Sequence, residues 1–169
     1  MKFEKIDITK ENINPFQRIG QDWMLISAKK EGKVNTMTVS WGMMGVFWGK
    51  NVVTVGIRPQ RFTKEFVDAG DTFTLTFFDG ERKQEMGYLG KVSGRDEDKF
   101  AKADIKWEDA TYVDAPILTD CPVSIESSVV DSTMPGTHEL FIGKVEAIHV
   151  DEEYLDANGN ILWDKMDLM

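Results

Sequence analysis

Cysteine, histidine and long apolar runs are what this sequence has least of, and each scarcity closes off a class of protein. The single cysteine, Cys121, has no second to pair with inside the chain, so a disulfide-stapled fold is excluded. With no His or second Cys near it, it reads as a reduced cytosolic thiol rather than a redox nucleophile. Two histidines, His138 and His149, and that one cysteine are too few and too widely separated for a metal centre, so no metal is expected. No apolar run approaches the roughly 18 residues that mark a membrane span. The start, Met1-Lys2-Phe3-Glu4-Lys5, lacks the apolar core of a signal peptide. The expectation is a cytoplasmic chain with no membrane partner. Positive charge is short as well: 20 Lys and Arg face 29 Asp and Glu, a net charge of −9. Such a surface repels a polyanion, which excludes nucleic acid as a partner. A local basic pocket for one phosphate stays open.

What is present is ordinary globular material with an aromatic surplus. A chain of 169 residues fits a single domain with a sizeable core. Five Trp and ten Phe are enough for both a core and an aromatic pocket. Trp23 to Ala28 reads as a strand, Lys29 to Lys33 as a charged hairpin turn, and Val34 to Trp41 as a strand of period two. Its faces differ: Val34, Thr36, Thr38 and Ser40 on one side, Asn35, Met37, Val39 and Trp41 on the other. Asn51 to Ile57 is dense in β-branched residues and reads as a strand. Between Arg61 and Ala69 the pattern turns helical, with Phe62, Phe66 and Ala69 on one face. Thr72 to Phe78, Val123 to Val130 and Glu139 to Val150 are further strands, and short helices are expected at Glu81 to Tyr88 and from Asp96. The tail holds a turn, Asp156 to Asn160. Many strands with a few short helices point to a mainly β fold, a closed or partly closed barrel with helical connections.

Four segments carry candidate chemistry. Thr36, Thr38 and Ser40 set hydroxyls at about 7 Å intervals, a pattern many plain strands share. Gly42-Met43-Met44-Gly45 follows, where glycine permits a flat ligand to approach the backbone and Trp41 and the methionines can line it. Arg58-Pro59-Gln60-Arg61-Phe62-Thr63-Lys64 places two guanidiniums and a hydroxyl at a helix start, a phosphate-binding arrangement that is also an ordinary basic cap. Lys91 to Phe100 holds a tight Ser93-Gly94 loop and Lys99, a cation for an anionic ring or phosphate and equally a charged surface loop. His138 sits just before an apolar strand, whereas His149 at its far end reads as exposed.

Together these segments resemble the flavin reductase-like family of FMN-binding split barrels, the flavoredoxins in particular. The resemblance runs from about Pro15 to Val150. It is carried by Asn35 to Gly42, by Arg61-Phe62-Thr63, by Ser93-Gly94-Arg95-Asp96 with Lys99-Phe100, and by His138 before Phe141 to Val145. It implies a split β-barrel over residues 1–169, with a core of about 15–150 and a tail of 151–169. It also implies FMN as cofactor and NADH or NADPH as donor. The flavin-binding residues would be Asn35, Thr36, Met37, Thr38, Val39, Ser40, Trp41, Arg61, Thr63, Ser93 and Lys99, with Trp163 from the tail as a looser match. Lys99 and His138 would stand at the ring edge as the catalytic pair. The implied activity is NAD(P)H:flavin oxidoreduction, with an electron carrier that exchanges with a redox protein partner, or a non-catalytic flavin-binding barrel, as alternatives. A homodimer with flavin near the interface is implied too. Departures at Trp48 to Asn51, at Gly136-Thr137 and near Thr76 bear on substrate choice more than on flavin binding.

Overall fold

The computed structural model describes residues 2–7, 10–11, 13–78, 80–166 and 168. A hairpin opens the barrel. Strands β2 (Met24–Lys30) and β3 (Lys33–Val39), which follow β1 (Phe3–Lys5) and α1 (Pro15–Gly20), are joined by Glu31 and Gly32. Both turn residues have positive φ, 50° and 74°. That hand of turn matches the twist of the flanking strands. The ladder therefore takes in Lys29, Lys30 and Lys33, and the turn is shorter than the expected five residues.

Next come β4 (Gly42–Phe47), β5 (Lys50–Ile57), α2 (Phe62–Gly70), β6 (Thr72–Phe77), α3 (Lys83–Lys91) and α4 (Lys99–Lys102). The chain closes with β7 (Trp107–Asp109), β8 (Pro116–Leu118), β9 (Val123–Thr133) and β10 (Glu139–Asp151). The main antiparallel sheet runs β3-β2-β6-β9-β10-β5-β4, with β1 beside the far end of β10, and β7-β8 form a separate pair. The two ends of that path, β3 and β4, are consecutive in sequence. Only Ser40 and Trp41 separate them, so the sheet curls until its edges meet at this corner. The result is a split β-barrel, the expected fold class. Gly42 to Gly45, where glycine was expected to permit a ligand's approach, lies in a strand, β4, paired with β5. A Cβ on Gly42 would collide with the Thr54 carbonyl, so this glycine serves strand contact rather than ligand approach.

Two apolar clusters sandwich β2. Met24, Ile26 and Ala28 join Phe73, Leu75, Phe77, Ile125 and Val55 inside the barrel, while Leu25 joins Phe78, Met86, Leu89 and Phe100 in an outer layer. Cys121 is buried in that outer layer. The tail packs inward as well: Ile161, Trp163 and Met166 belong to the barrel cluster. No helix among the described residues is long and apolar enough to cross a membrane.

Two expectations fail here for physical reasons. The inner stripe of α2 is Thr63, Phe66 and Val67, with Ala69 exposed, because the i, i+3, i+4 face starts one residue later than expected. His149 is 8% exposed, and its Nε2 lies 2.6 Å from Glu126 Oε1. A register shift between Val145 and Ala147 in β10 changes which residues face inward beyond it, which strict alternation cannot foresee.

Candidate functional site

The barrel corner, the start of α2 and the loop after α3 meet around two cavities that share Met37 and Arg61. The first, of about 110 Å³, is lined by Asn35, Arg61, Thr63, Ser93, Gly94 and Lys99 among others. Asn35 is held by β3 and donates from Nδ2 to Thr63 Oγ1 at 2.9 Å. The Thr63 hydroxyl keeps its own proton for an acceptor. A Cβ on Gly94 would collide with Asn35 Oδ1, so the loop can close over Asn35 only with glycine here. Arg61 is the N-cap residue of α2 and binds the Gly90 carbonyl through Nη2 at 2.5 Å and Met37 Sδ through Nε at 3.5 Å. Arg95 is committed to Glu65 and the Gln60 carbonyl. No carboxylate lines either cavity among the described residues. Burial, and then Arg58, push the Arg61 guanidinium below its usual value. This is a set of unneutralised donors at a helix N-terminus, which is the chemistry an anion requires.

Lys99 is 3% exposed, and its Nζ donates to the carbonyls of Thr36 (2.5 Å) and Leu89 (2.9 Å). It ties the end of α3 to β3. Burial, with Arg61 next, brings its pKa down to about 8. It lines the first cavity and not the second, so the expected catalytic pair of Lys99 and His138 does not share a cavity.

The second cavity, of about 210 Å³, is lined by Met37, Thr38, Val39, Ser40, Trp41, Gly56, Arg58, Arg61 and His138. The Trp41 and His138 rings stand 4.4 Å apart at 47° and form its wall. The β5–β10 ladder ends at the pair Ile57–Glu139, and this brings His138 to Arg58, whose Nε lies 3.3 Å from His138 Nε2. Burial and Arg58 both hold His138 below the ordinary imidazole range. A third cavity of about 290 Å³ lies across the same ring pair, against Met43 and Pro135.

Ten of the twelve expected flavin-binding residues line one or other of the first two cavities. Thr36 and Trp163 do not. The Thr36 hydroxyl donates to the Ile26 carbonyl and accepts from Ser27, and it is wholly buried. Thr38 likewise donates to the Met86 carbonyl at 2.6 Å, because α3 covers that face of β3. Trp163 packs edge-on to Phe77 with the Arg18 guanidinium over its ring at 4.7 Å, away from both cavities. Gly56 and the contact of Arg58 with His138 went unread in the sequence; only the ladder register reveals them. Among the described residues, no group of three or more His, Cys, Asp or Glu gathers to hold a metal.

Residues 16–165 match the family model described as a flavin reductase like domain. Among solved structures, the flavoredoxin of Methanosarcina acetivorans is similar at 26% identity and a TM-score of 0.79, over 86% of this chain and 76% of that one. The FMN-binding protein of Thermus thermophilus is similar at 26% identity and a TM-score of 0.72, over 82% of this chain and 75% of that one. A curated relative, the high molecular weight rubredoxin of Moorella thermoacetica, is 30% identical over 123 residues. The matched stretch is 72% of this chain and 52% of that protein, and for a relative in Aeropyrum pernix it is 50% of the relative's length.

Proposed function

This chain belongs to the flavin reductase-like domain family, and from that membership we propose that it binds FMN and works as an NAD(P)H:flavin oxidoreductase. The observation that carries the reading is the donor set of the first cavity. Asn35, Arg61, Thr63, Ser93 and Lys99 converge with no carboxylate among the described residues that line the cavity, next to a second cavity walled by aromatic rings. These residues fit the group: the first five would hold its phosphate, and Met37 to Trp41 with His138 would flank its ring. Bound flavin supplies the hydride and electron chemistry, while the protein supplies orientation and electrostatics. The Thr63 hydroxyl and Lys99 ammonium donate, Arg61 fixes the boundary between the cavities, and Trp41 offers a ring face to the second one.

A second reading, an electron carrier with bound FMN that docks to a redox protein, is favoured by the likeness to a flavoredoxin and by the net charge of −9, which suits a basic partner. A homodimer belongs to either reading. Met43, Val46, Phe47 and Trp48 on the β4–β5 hairpin are all more than half exposed, apolar surface that a second copy would cover. Sedimentation would test it. The function itself is tested by the absorption spectrum of the purified protein with FMN, followed by NADH and NADPH oxidation with free flavin as acceptor. Turnover supports the reductase; bound flavin without turnover supports the carrier; no flavin binding sinks both.

A further inference from the structure

The end of the β5–β10 ladder sets against His138 an arginine whose part there neither the family match nor the flavin-binding set defines. Arginine carries only donors, so at the 3.3 Å contact Arg58 Nε donates and His138 Nε2 accepts. A neutral imidazole then keeps its proton on Nδ1, which donates to Thr137 Oγ1 at 2.9 Å. Both ring nitrogens are thereby taken, and His138 offers the cavities on either side only its ring and C–H edges, tilted against Trp41. Arg58 is exposed, and its Nη1 and Nη2 have no carboxylate partner among the described residues.

The charged groups around His138 come from three directions. Arg58 follows β5, Arg61 opens α2, and Glu139 is the next residue along. Glu139 is held by Lys64 Nζ at 2.8 Å and by Ser132 Oγ at 2.8 Å, so its charge is spent. Among the described residues, no carboxylate lines the cavity on either side of the Trp41–His138 pair. In a chain of net charge −9, an unneutralised guanidinium lining the second cavity is a docking point for an anion.

We propose that Arg58 is a positioning and recognition residue with two states: it holds His138 as the Nδ1–H tautomer, and it turns to the pyrophosphate-like group of an anionic second reactant, freeing His138 Nε2 to accept a hydrogen bond from that reactant. The identity of the reactant as a dinucleotide hydride donor rests on the reductase reading; the Arg58 switch does not. Of the two causes that lower the His138 pKa, burial comes first and does not depend on Arg58.

Histidine side-chain NMR on the flavin-free protein reads the switch directly, since the chain has two histidines. Inorganic pyrophosphate, against chloride at matched ionic strength, should raise the pKa of His138 and leave His149 unmoved. In Arg58→Gln the His138 pKa should start higher, and pyrophosphate should add nothing. With FMN present, Arg58→Gln should raise the KM for NADH about tenfold or more, the loss of one charge-assisted pair. The KM for the uncharged 1-benzyl-1,4-dihydronicotinamide should change far less, and Arg58→Lys should recover part of the NADH loss. A wild-type His138 indifferent to pyrophosphate, the same response in Arg58→Gln, or equal KM changes for both donors would overturn the proposal. Absence of any NADH oxidation would remove the reductase reading, and the NMR result would still decide the role of Arg58.

Discussion

The two cavities share Arg61 but are built on opposite rules. In the first, Asn35, Thr63 and Lys99 are 4%, 1% and 3% exposed, and each is already fixed by a hydrogen bond to the protein. In the second, the wall residue Trp41 is 58% exposed and His138 is held by side chains at the surface. A site whose donors are fixed before the ligand arrives loses little entropy on binding and gives affinity. A site walled by exposed rings adapts and admits a second molecule. Under the proposed function, the difference suits anchoring in one cavity and exchange in the other.

Each side of that contrast can be broken separately. The largest effect is expected from a residue outside both cavities: Trp163→Ala should cost about 3–5 kcal/mol of stability, as for a buried Trp in a core, measured by urea unfolding. Flavin affinity should hold in whatever fraction folds, and a selective loss of affinity would return the tail to the site. Arg61→Ala should weaken FMN binding by about 1.5–3 kcal/mol, the worth of a charge-assisted hydrogen bond; calorimetry showing unchanged affinity would remove Arg61 from the anchor.

Lys99 supplies the pH dependence. Its pKa in the folded chain is about 8, so it is an ammonium below that pH and an amine above it. FMN affinity should therefore be full below pH 8 and fall as pH rises through it, by up to about tenfold per unit. Stability without ligand moves the other way: burial lowers the Lys99 pKa from 10.5, so the unfolded chain binds the extra proton between about 8 and 10.5 and stability rises with pH there. A flat affinity profile would detach Lys99 from the anchor. The smallest effect belongs to the second cavity: Trp41→Ala should cost FMN about 0.5–1.5 kcal/mol, the range of one aromatic contact. A loss as large as that of Arg61→Ala would erase the contrast.

Most of this architecture can be read from residue pattern. Val52 to Ile57 and Thr72 to Phe77 are β-branched and apolar enough to be strands wherever they lie, and the helix start at Arg61 to Thr63 carries its own phosphate-binding chemistry. Periodicity tells which residues share a face and not what covers that face. Thr36 and Thr38 share a face, yet the Thr36 hydroxyl goes to the Ile26 carbonyl of β2 and the Thr38 hydroxyl to the Met86 carbonyl of α3. The burial of His149 depends on a register shift in β10, and the meeting of Arg58 with His138 depends on the pairing of β5 with β10. Both are properties of strand register across long separations, which no local pattern encodes. Trp163 shows the converse: an aromatic in a tail suits a ligand lid and a core plug equally, and only the packing against Phe77 and Arg18 decides.

In the proposed function the first cavity grips a phosphate. Titrating the flavin-free protein in parallel with FMN and with riboflavin, which lacks only that phosphate, tests it most directly. FMN should bind at least about tenfold more tightly, the scale of a lost charge-assisted pair. Equal affinities, or no binding of either, would rule out a phosphate grip in the first cavity.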